Sequence, residues 1–80
     1  MGNSLDAGVM HTYGLKLNKL VELTDNGILP FKVKELVKEW GDKLGKNALY
    51  TEERGMIDRL HDDGLIREKQ EAIRVQNNVR

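Results

Sequence analysis

Asp62-Asp63-Gly64-Leu65-Ile66-Arg67 is the stretch on which the fold of this chain turns. Read as punctuation, an acidic link followed by glycine ends a helix, with Gly64 at the C-terminal cap position. Upstream, Thr51 is a good N-cap, and Glu52 and Glu53 occupy a first turn where the helix dipole favours anions. Met56, Ile57 and Leu60 supply the apolar face of that helix. Downstream, Leu65-Ile66-Arg67-Glu68-Lys69 and Ala72-Ile73-Arg74-Val75-Gln76 read as two short strands joined at Gln70-Glu71. Ile73 and Val75 alternate with Arg74 and Gln76, as in a half-buried strand. No glycine or Asn-Gly pair marks the turn. Lys, Glu, Gln and Ala also favour helix, so a fourth helix over this segment is the competing reading.

Further upstream, Val9, Met10, Tyr13, Leu17, Leu20 and Val21 fall at steps of three and four residues, the stripe of an amphipathic helix. Asp25-Asn26-Gly27 stops it, with Gly27 or Asn26 able to take a left-handed turn. Leu29 precedes a proline and is pushed toward extended backbone. Pro30 suits the first turn of a helix. Val33, Leu36, Val37, Trp40 and Leu44 continue at helical spacing, which predicts a helix over 30–43 that ends at Gly45. Trp40, Phe31 and Tyr13 are assigned to the core, and Tyr50 to a staple ahead of the third helix.

The order helix, extended segment, helix, loop, helix, hairpin resembles the winged helix-turn-helix superfamily. Tyr50-Thr51-Glu52-Glu53-Arg54-Gly55-Met56-Ile57 and the Asp63-Gly64-Leu65-Ile66-Arg67 exit carry the likeness, which covers residues 12–77. It implies a mainly α chain with a small C-terminal β-hairpin, a winged helix-turn-helix-like three-helix domain spanning 1–80 with flexible ends. It further implies a small DNA-binding regulatory protein, with the third helix in the major groove and the wing on the backbone. The residues so assigned are Arg54 and Arg59 of the third helix, Arg67, Lys69 and Arg74 of the wing, and Lys34 and Lys38 of the second helix on phosphates.

The charges resist that picture. The 80 residues carry 13 basic and 13 acidic side chains. Residues 50–64 hold two arginines and five acids, whereas 28–49 and 65–80 are each net basic. DNA affinity rests on neutralised phosphates, and an acidic recognition helix repels the backbone it must approach. The alternative is a protein-interaction module or inhibitor on the same scaffold, with Glu52, Glu53, Asp58 and Asp62 facing a basic partner.

Catalysis has little to work with. The sequence holds no cysteine, so thiolate chemistry, disulfides and thiolate metal sites are excluded, and a reducing, cytoplasmic setting is expected. Ser4 is the only serine and lies near the N-terminus, so a hydroxyl nucleophile activated by histidine is not expected. His61 lies among Asp58, Asp62 and Asp63, but the spacing matches no metal motif. The eight glycines are scattered and form no phosphate loop. No enzyme activity, metal or cofactor is expected. No segment is apolar enough to span a membrane. Met1-Gly2-Asn3-Ser4-Leu5-Asp6 departs from a myristoylation signal at Asp6, where Ser or Thr is wanted. One small core is all that such a chain can build, and a homodimer would be one further source of stability.

Overall fold

The computed structural model describes residues 6–78 of the chain. The Met1–Leu5 part of the myristoylation-like stretch, Ser4 included, and Arg80 lie outside the described residues. Three helices follow one another: α1 (Ala7–Asp25), α2 (Phe31–Gly45) and α3 (Thr51–Asn78).

Asp6 caps α1 by accepting a 2.8 Å hydrogen bond from the Val9 amide. The helix ends in a Schellman motif. Gly27, at φ 77°, takes the left-handed position, and the Ile28 and Gly27 amides donate to the Leu23 and Thr24 carbonyls. Pro30 stands just ahead of α2 as its extended N-cap. Gly45, expected to stop α2, is instead its last helical residue. Asn47 takes the left-handed turn at φ 55°, and the Ala48 and Asn47 amides close a second Schellman motif on Lys43 and Leu44. Asn is the non-glycine residue that tolerates this conformation best.

α3 opens one residue earlier than its sequence suggests. Tyr50, not Thr51, holds the cap position: its carbonyl accepts from the Arg54 amide, and its own amide donates to Glu53 Oε1 at 3.0 Å. Glu53 thus supplies the reach-back half of a capping box. The Tyr50 ring, expected to pack as a staple, is exposed.

The segment 65–77 is helix, and the described residues contain no strand. The expected C-terminal β-hairpin is absent, and with it the winged helix-turn-helix-like architecture. Asp62-Asp63-Gly64 does not end a helix; it lies in the middle of α3. Strong helix formers on the far side carry the helix onward. Asp63–Arg67 and Glu71–Arg74 ion pairs bridge successive turns at 3.2 and 2.6 Å.

Gly64 has a packing reason to be there. A Cβ at this position would sit against the side chains of Leu23 and Leu29, so its absence lets α3 approach α1. The core is formed by Leu17, Leu20 and Leu23 of α1, Val33, Val37, Trp40 and Leu44 of α2, and Leu29, Leu49 and Ile57. α1 is the central helix and packs on both others, whereas α2 and α3 approach each other far less. α1 and α3 run in the same direction, since Tyr13 meets Asp58 near one end and the 26–28 turn lies beside Arg67 and Arg74 near the other. The 28 residues of α3 make a rod of about 42 Å at 1.5 Å per residue, within a molecule 56 Å long and 21 Å wide.

Candidate functional site

The seven cations assigned to DNA do not converge. Arg54 sits at the start of α1 and α3, beside Tyr13 and Lys16, and donates to Thr51 Oγ1 at 3.0 Å. Arg59 rims a groove between α2 and α3, with Leu36, Met56, Leu60 and Asp63. Lys34 and Lys38 line a groove between α1 and α2, where Lys34 is paired with Asp25 at 2.7 Å. Arg67 and Arg74 stand over the α1–α2 turn, each already paired with an acid of its own helix. Lys69 stands apart, exposed and with no ion pair among the described residues. Arg67, Lys69 and Arg74 therefore lie on a helix, not on a wing.

The four acids assigned to a basic partner divide as well. Glu53 bonds the Lys43 ammonium and the Tyr50 amide, and these hold its carboxyl below the usual range. Asp58 accepts from Lys16 Nζ at 2.6 Å and from the Tyr13 hydroxyl at 3.0 Å. Burial pushes the Asp58 carboxyl upward, but the two hydrogen bonds prevail and its pKa is lowered. Burial and Asp58 together raise the Tyr13 phenol, and the Asp58 bond raises Lys16. Both carboxylates thus tie helices together. Glu52 and Asp62 remain exposed. His61 Nδ1 lies 3.7 Å from Asp62, but no group of three or more metal-ligating side chains is gathered among the described residues.

What the helix gathers instead is apolar. With 100° per residue, Leu65, Ile66, Ala72 and Ile73 fall on one face of α3, together with Asp62 and Lys69. Ile66 and Ile73 are turned well away from Ile57 and Gly64, which enter the core, whereas Leu65 and Ala72 lie on the flank, roughly 60–80° round from Ile57. Ile66 is 57% exposed and Ile73 48%, with Leu65 beside them also open to solvent. Sequence reading split these residues between two strands, where alternation hid the spacing of 66 and 73. The signal that finds them is the seven-residue repeat of Asp62–Lys69, Leu65–Ala72 and Ile66–Ile73, visible once the segment is read as helix.

Comparison with known protein families, characterised proteins and solved structures finds no match to this chain. No described helix is long and apolar enough to cross a membrane.

Proposed function

We propose that this chain is a small helical protein-interaction module that docks on its partner through the outer face of α3. The observation that carries this reading is the row Leu65, Ile66 and Ile73, exposed on a helix whose opposite face is already committed to the core. A helical segment of this length is marginal in water unless an apolar face is packed. Beyond Gly64 the body of the molecule offers little such packing, so a partner is the natural source of it. The reading keeps the third helix as the contact element and moves the contact from its acids to its apolar side chains. Binding to DNA is less well supported, because four of its seven cations are bonded within the chain and the rest lie on different sides.

The test is crosslinking in the cells that make the protein. A photoreactive residue at Ile73 should give a discrete protein adduct, and one at Glu35 on α2 should not. The same smear at both positions would remove the α3 face from consideration.

A further inference from the structure

We infer that the occupant of this face is a second copy of the chain, paired antiparallel about a two-fold axis beside Leu65 and Ile66. The inference rests on the docking reading above and names its partner.

The argument is one of charge placement. Asp62 and Lys69 are seven residues apart and share the face. One lies on each side of Leu65 and Ile66. Asp62 is 76% exposed, makes no ion pair with Lys or Arg among the described residues, and has the His61 ring at 3.7 Å and the Lys16 ammonium farther off; Lys69 has no ion pair among the described residues. In an antiparallel pair, Asp62 of each copy meets Lys69 of the other, so two ion pairs bracket four apolar side chains. A parallel pair sets Asp62 against Asp62 and Lys69 against Lys69, which is repulsive. A two-fold contact is self-complementary by construction, and this face meets that condition with opposite signs at equal distances from its centre. Farther out, the same register brings Ile73 level with Asp58, next to Arg59, whose methylene stem can cover it while the guanidinium stays in water. Ile57 and Gly64, which seat α3 on the body, point away from Ile66 and Ile73, while α1 borders the contact at Tyr13 and Lys16.

The face is short. Three exposed apolar side chains and one pair of opposite charges per copy are few beside the roughly 20–30 residues a side of a standard interface, so the dimer is reversible and concentration-dependent.

Sedimentation equilibrium of the full chain, from micromolar to millimolar concentration, tests this. A monomer–dimer equilibrium is expected. Asp62→Lys and Lys69→Asp should each weaken it by about tenfold, since each turns two attractions into two repulsions. The double variant should recover wild-type association. Ile66→Glu should leave a monomer of unchanged helicity. If Ile66→Glu fails to fold, the charge exchange still decides, because both of its positions are exposed. A chain that stays monomeric throughout, or a double variant no better than the singles, overturns the pairing. The cellular crosslink separates the two claims: an Ile73 adduct to a different protein sinks self-association and leaves the docking face standing.

Discussion

Gly64 lies so close to Leu23 that a Cβ placed on it would stand 2.6 Å from Leu23 Cδ1, with Leu29 Cδ1 at 3.2 Å. Both leucines are in the core, and Leu23 is fully buried, so neither can swing into solvent to make room. The closeness of α1 and α3 is set at this pair.

Two alanine substitutions on the same helix should therefore have opposite signs. Gly55 has nothing within 4 Å of its missing Cβ, and Gly55→Ala should stabilise by up to about 1 kcal/mol through helix propensity alone. Gly64→Ala gains the same term but overpacks a closed core, at about 1–3 kcal/mol. Urea midpoints should rise for the first and fall for the second. A rise for both would mean that α1 and α3 do not meet at Gly64.

The two large aromatic side chains of α2 should also separate. Trp40 is 3% exposed, and Trp40→Ala should cost about 3–5 kcal/mol, enough to unfold a domain of this size. Phe31 is 70% exposed, and Phe31→Ala should change stability by less than about 0.5 kcal/mol. Thermal melts of the two variants check this, and equal losses would contradict the exposure of Phe31.

Acid should loosen the molecule through its interhelical carboxylates. Asp58 and Glu53 both have lowered pKa values. A depressed carboxyl contributes stability that is fully present above its unfolded value, about 4, and is lost as pH falls through the folded value. The melting temperature should hold from neutral pH down to about 5 and drop below about 4. Asp58→Asn combined with Glu53→Gln should start lower and lose less on acidification. An acid limb of unchanged steepness would place the responsible carboxylates elsewhere.

Much of the fold was legible. The α1 stripe, the Gly27 stop, the Pro30 start and the buried Trp40 all follow from spacing and backbone chemistry. Gly64 was not, because a glycine that ends a helix and a glycine that admits a neighbouring helix look alike until the neighbour is placed. That single ambiguity turned the second half of α3 into a hairpin and scattered its apolar row over two strands. A helix ending at Gly64 would also set Asp62 and Asp63 against the negative end of its dipole; in mid-helix that conflict does not arise. Phe31 was assigned to the core because spacing along a helix does not say where the packed face ends. The roles of Glu53 and Asp58 were hidden for another reason: Lys43 and Lys16, their partners, come from other helices.

The central place of α1 sets an order of assembly. It meets α2 across a turn of only a few residues, whereas its Tyr13–Asp58 contact with α3 spans 45. Closing the longer loop costs more chain entropy. The α1–α2 hairpin should form early in the folding transition state and α3 should dock late. Kinetically, substitutions at Leu20 or Val33 should then slow folding, while those at Ile57 should chiefly speed unfolding. The helix that offers the outward face is thus the last to be secured and the first to be released.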